Sequence, residues 1–193
     1  MKQLKNSPLG SIKYSIPFLL LGLMLTHCEE QTDSTFLVTD TAIGKLEKGS
    51  LIRDIALIYA NDSLVKDTTA LNLGNMAKKL RVYEKGGKLL LTLSPSRDSI
   101  PRVDNVRFED PRFKTEAGIN INSTFKDIKN AYTIKKVLTS TNNLLILVKQ
   151  TEVYFTISKE QLPSSLRYAS SANIEAVQIP DNAKIKYMML GWD

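Results

Sequence analysis

Hydrophobic and polar positions change their period several times along this chain, and each change predicts an element. Leu51, Ile55, Ile58 and Tyr59 recur at helical spacing, and so do Phe125, Ile128, Ala131 and Tyr132. Ser50 and Ser123 precede these stripes, where a side-chain oxygen can accept from the free N–H groups of a first turn. Asp54 and Asp127 put negative charge near the positive end of each helix. Neither site has the Glu or Gln that completes a capping box. Elsewhere the pattern is that of strands. Residues 80–83 and 89–93 flank Gly86-Gly87, a hairpin turn that needs positive φ. Residues 103–108 alternate imperfectly, and Asn142-Asn143 separates strands at 133–138 and 144–148. Val153, Phe155 and Ile157 share one face of another strand. Strands at 174–179 and 185–190 are expected on either side of the turn Pro180-Asp181-Asn182. Residues 158–167, split by Pro163, read as a short helix or loop.

The two helical segments also resemble each other. Gly49-Ser50-Leu51-Ile52-Arg53-Asp54-Ile55 leads to Tyr59, and Asn122-Ser123-Thr124-Phe125-Lys126-Asp127-Ile128 leads to Tyr132. Gly44 and Gly118 stand at nearly equal distances before them. Two copies are too few for a solenoid. The expected fold class is therefore α+β, an antiparallel sheet packed by two helices from a faint tandem repeat. Tyr59 and Tyr132 are expected to pack in the core with their hydroxyls in water. A glycine, a serine-led helix and antiparallel strands, twice over, resemble the tandem units of β-lactamase-inhibitor-protein-like domains. The approach Thr115-Glu116-Ala117-Gly118-Ile119 matches best, and the similarity covers about residues 36–157. The resemblance implies a fold that occurs in bacterial envelope lipoproteins and inhibitors. It brings no catalytic residue with it.

The start of the chain changes the picture most. Lys2, Lys5 and Lys13 precede an apolar run over residues 16–25, which is short of the roughly 20 residues a bilayer span needs. Leu25-Thr26-His27-Cys28 then gives way to Glu29-Glu30-Gln31-Thr32-Asp33-Ser34. This resembles a bacterial lipobox, with leucine three positions before the cysteine; His27 departs from the small residue usual there. The resemblance implies a signal peptide over 1–27, lipidation of Cys28, a flexible tether over 28–34 and one domain over 35–193. The membrane partner is then reached through the lipid on Cys28, in the bacterial envelope and most simply at the outer membrane.

Charge and chemistry follow from that cut. The formal charge is +6, but three of the cations and no acid lie before Cys28, which leaves +3. Nucleic acid is therefore not an expected partner. The single cysteine would carry lipid and the single histidine, His27, would be removed, so nucleophile–histidine catalysis and Cys/His metal sites are excluded. No cofactor motif is present. Glu109-Asp110 and Asp181 could serve carboxylate chemistry or calcium; Asn61, Asp62 and Asp67 lack EF-hand spacing. Lys78, Lys79, Arg81, Lys85 and Lys88 cluster about the first hairpin, with Arg107, Arg112 and Lys114 as a second basic group. Trp192, Lys85 and Lys88 are the candidate binding residues, with a lid on the core as the other reading, and the favoured one, of Trp192. The expected function is a lipid-anchored envelope binding protein, an assembly factor or inhibitor with a protein or glycan partner. A carboxylate-dependent hydrolase of cell-wall or glycan substrates is the alternative, and a purely structural lipoprotein a third reading.

Overall fold

Alternating burial sets the architecture. The computed structural model describes residues 34–66, 78–167 and 174–192, all within one compact unit, Asp33–Asp193. In chain order its strands are β1 (Leu37–Val38), β2 (Ala42–Ile43), β3 (Leu46–Glu47), β4 (Ser63–Lys66), β5 (Leu80–Tyr83) and β6 (Leu89–Pro95). There follow β7 (Val103–Phe108), β8 (Lys114–Thr115), β9 (Ile134–Thr139), β10 (Asn143–Val148), β11 (Val153–Ser158) and β12 (Ile185–Gly191). Helices are few and short: α1 (Ile55–Ile58), α2 (Phe125–Ala131) and α3 (Ser164–Arg167). The fold is α+β, with one eight-stranded sheet in the order β4-β5-β6-β7-β12-β11-β10-β9 and a small sheet in the order β3-β2-β1-β8. Every pairing in the large sheet is antiparallel.

Register turns this order into a two-faced layer. One cross-strand row runs Leu64, Val82, Leu91, Phe108, Met188, Phe155, Ile146 and Val137, apolar from edge to edge. A second runs Lys66, Leu80, Leu93, Val106, Leu190 and Val153. The neighbouring row on the opposite face is Val65, Arg81, Thr92, Arg107, Met189, Tyr154, Leu147 and Lys136. Period-2 patterning therefore gives the sheet a core face and a more polar face. Ile55, Phe125 and Ile128 join the strands' apolar residues in one core cluster.

The two halves differ in how well that face is covered. Thr124, one residue after the expected Ser123, caps α2: its hydroxyl accepts from Asp127 N–H, and the Asp127 carboxylate accepts from Thr124 N–H at 2.7 Å. A box closed by Asp was not anticipated from the Glu/Gln pattern, and Ser123 instead accepts from Asn120 N–H. Ser50 does not cap α1 either. Its hydroxyl donates to Glu47 O at 2.7 Å, and its backbone is committed to Val103 N–H. The first segment forms a 3-10 turn, Ile52–Asp54, and then a single α turn that ends at Tyr59.

Other expectations divide clearly. The Gly86-Gly87 hairpin is present, with φ of +115° and +93° at the two glycines. Strands β7, β9, β10, β11 and β12 lie within a residue or so of their predicted ranges. No strand forms at 174–179. Gln178 N–H and the Gln178 side chain bond back to Glu175, giving a 3-10 turn, Ala176–Gln178, between the buried Ile174 and Ile179. Tyr59 is buried as expected. The Tyr132 hydroxyl is not simply wet, since it donates to Thr115 Oγ1 at 2.7 Å.

Candidate functional site: a groove beside strand β4

A helix of one turn cannot roof the sheet it accompanies, and α1 leaves a groove of about 500 Å³ at the β4 end of the core face. Ile52, Arg53 and Ala56 form one wall, Leu64, Lys66 and Leu80 the floor, and Ile100 with Pro101 the other wall. The floor continues the apolar rows of the core: Leu64 stands across from Val82, and Lys66 across from Leu80. The walls are tied together, because Ile52 N–H donates to Pro101 O at 3.0 Å and Leu51 bridges Arg102. The groove is thus preformed, as ligand sites usually are.

Its charge is one-sided. Among the described residues, Arg53 and Lys66 are the only ionised side chains in the lining. Arg53 lies 3.8 Å from Asp54, and both are well exposed; such a pair contributes roughly 0–1 kcal/mol. Ile100 is 57% exposed at the rim. The arrangement suits an apolar segment with an acidic group, held by burial and oriented by the two cations. Among the described residues no group of three or more His, Cys, Asp and Glu lies together to hold a metal ion.

The residues singled out in the sequence are placed elsewhere. Cys28, His27 and Asp67 lie outside the described residues. Trp192 is not a contact residue: it is 6% exposed, its indole N–H donates to Asp40 O at 2.9 Å, and its backbone N–H donates to Asp104 O. Lys88 is engaged by Asp110 at 2.9 Å. Lys85 is exposed at the Gly86-Gly87 turn, away from the groove lining. Lys78, Lys79 and Lys114 are exposed as well.

The second basic group is part of an ion cluster. Arg112 grips Glu84 through two hydrogen bonds of 2.9 and 2.8 Å. It also donates to the buried Asp110 from its backbone, Nε and Nη2, and its guanidinium lies over the Phe36 ring. Burial pushes the Asp110 carboxyl up, but the hydrogen bonds from Arg112 and Lys88 outweigh it and hold the group well below the usual carboxylate range. Glu109 has separate partners, accepting from Thr92 Oγ1 at 2.8 Å and Arg107 Nε at 2.6 Å. Asp62 pairs with Lys45, and Asp181 with Lys129, whose hydrogen bond lowers the Asp181 carboxyl. A general acid in glycoside hydrolysis needs its pKa raised. Asp110 and Asp181 are driven the other way.

The groove residues themselves were not read as a site. Strand β4 has only four residues, too few for a periodic signal. One signal was available: Ile100 is a lone large apolar residue directly after the polar stretch Ser94-Pro95-Ser96-Arg97-Asp98-Ser99.

No protein-family model matches this chain, and no curated protein matches it in sequence. In structure it is similar to the uncharacterized protein yfeY from Escherichia coli, with a TM-score of 0.52 and 12% sequence identity. The match covers 80% of this chain and 98% of that chain. At that identity the likeness concerns the fold alone.

Proposed function

We propose that this chain is a lipid-anchored protein of the bacterial cell envelope that binds a partner protein's apolar, acid-bearing segment in the groove beside β4. The apolar groove between Arg53 and Lys66, open among the described residues, carries the reading. A monomer gains by roofing such a surface, whereas a preformed groove with a charged rim favours exchange with a partner. Two meanders, each preceded by a short helix, support descent from a tandem repeat like that of β-lactamase-inhibitor-protein-like domains. In that view the helix of the second unit covers its sheet, and the shortened helix of the first leaves room for a guest. The lipobox-like Leu25-Thr26-His27-Cys28 and the acidic run after it support a lipid anchor on Cys28, which would hold the domain near the outer membrane. Among the described residues no helix is long and apolar enough to cross a membrane.

The anchor and the groove are tested apart. Radiolabelled palmitate should enter the intact protein grown in bacteria and be absent from Cys28→Ala; label in neither would remove the anchor. A photo-crosslinking amino acid at Ile100 should give a discrete adduct in intact cells, whereas one at the 85% exposed Val177 should not. Lys66→Glu should reduce the Ile100 adduct about tenfold, the equivalent of 1.4 kcal/mol, with no change in thermal midpoint. Equal adducts at both positions would reject the groove as the binding surface.

A further inference from the structure

Lys45, Arg53, Lys88, Arg107, Arg112 and Lys129 are paired with carboxylates. Many other cations are not, and two of these lie together at the other side of the molecule. Arg167, on α3, gives its Nε–H to Leu162 O at 2.9 Å, and Lys186, on β12, donates to Asn143 Oδ1 at 3.1 Å. Neither forms an ion pair among the described residues. Both face a groove of about 1020 Å³ between the β9–β10 turn and the end of β11.

The lining of this groove differs in kind from that beside β4. It is built of Ser140, Thr141, Asn142 and Ser158, together with Thr139, Lys159 and Glu160. Among the described residues Glu160 is the only acid in the lining, and the hydroxyl of Ser158 holds it at 3.3 Å. No large apolar side chain among the described residues contributes. Thr139 Oγ1 is buried without a hydrogen-bond partner, which is costly unless something supplies one. Ser140 and Ser158 meet backbone groups of their own turns, which fixes the loops and leaves the Thr141 hydroxyl and the Asn142 amide for a guest.

Hydroxyls and an amide that both donate and accept match the alternating donors and acceptors of a sugar. Uncompensated Arg and Lys match a phosphate or carboxylate, with the planar guanidinium suited to bidentate contact. The volume lies at the upper end of ordinary ligand pockets, roughly 300–1,000 Å³, so it admits more than one sugar ring. From these features we infer that the groove formed by the β9–β10 turn, Arg167 and Lys186 binds an anionic saccharide, a sugar carrying phosphate or carboxylate. This site shares no residue with the groove beside β4 and stands whether or not that groove has a partner.

The test follows amide resonances of Thr141 and Asn142 in the full-length protein. The probes are N-acetylglucosamine 1-phosphate, N-acetylglucosamine, inorganic phosphate and phosphatidylglycerol vesicles. The sugar phosphate should shift both resonances and bind at least about tenfold more tightly than either half alone. The double substitution Arg167→Gln, Lys186→Gln should weaken it by about tenfold or more, while the rest of the spectrum stays in place. Asn142→Asp, which removes the amide donor and adds negative charge at the rim, should weaken the sugar phosphate more than the neutral sugar. Inorganic phosphate binding as well as the sugar phosphate would overturn the saccharide assignment. Shifts with vesicles alone would assign the surface to membrane headgroups instead. Absence of any shift, or equal binding by the double variant, would reject the site.

Discussion

Asp110→Ala should lower the unfolding free energy by about 3 kcal/mol, near the lower limit for breaking a buried ion pair. The magnitude follows from what is left behind. Asp110 is fully buried and receives the Arg112 backbone N–H, two guanidinium donors and the Lys88 ammonium. Without it a backbone donor is orphaned and two cations face each other across the end of the β5–β6 hairpin. Both cations are partly exposed and can recover some hydration, and Arg112 keeps Glu84, so the loss stays at that lower limit. Denaturant melts of wild type and variant measure it. The same carboxylate sets an acid limb. Its folded pKa lies below the ordinary value of about 3.9, so the unfolded state takes up the proton first. The stabilisation is complete above about pH 5, and falls as pH drops below 4 toward the folded value. Glu84, lowered by its hydrogen bonds from Arg112, acts in the same direction. Asp110→Asn should flatten stability between about pH 4 and 2. An unchanged acid limb would show that Asp110 is not the group responsible.

Trp192→Ala should cost about 3–5 kcal/mol, the range for removing a large aromatic from a core. The indole is the only one in the chain, so its fluorescence reports on the site directly. It ties the end of β12 to the β1–β2 turn through Asp40 O. Asp40 in turn accepts from Thr151 and from Glu152 N–H at the β10–β11 turn. One side chain therefore joins the small sheet to the large one. Trp192→Phe keeps most of the volume and loses only the indole donor, so it should cost about 1 kcal/mol. Equal costs for the two substitutions, followed by circular dichroism, would place the value of Trp192 in the hydrogen bond and not in packing.

How far these features could be read beforehand depended on the range of the forces involved. The Gly86-Gly87 hairpin and the β11 alternation are local, and both were legible. So was the apolar stripe of α2. Its cap was misplaced by one residue because Asp127 can close a box usually closed by Glu. The first helix was over-read: Leu51, Ile58 and Tyr59 have helical spacing, but Ser50 and Ile52 are held by the 101–103 segment, and the chain turns after Tyr59. At 174–179, Gln178 reaches Glu175 and a local turn wins over a strand. The partners of Trp192 and Lys88 are beyond any local pattern, because Asp40 and Asp110 are 152 and 22 residues away along the chain. The groove beside β4 depends on which strand is left at a sheet edge, which no short window reveals.

Strand order has a consequence for timing. β12 comes last among the described strands, yet it lies at the middle of the large sheet, between β7 and β11. Until it inserts, the two meanders share no seam, and each presents an open strand edge of six residues, Val103–Phe108 and Val153–Ser158. Closing that seam joins residues about eighty apart in the chain, Val106 to Leu190 and Phe108 to Met188. Folding of the whole sheet must therefore wait for β12 to leave the ribosome. During that interval the two naked edges are the places where a second chain, or a holding chaperone, would attach.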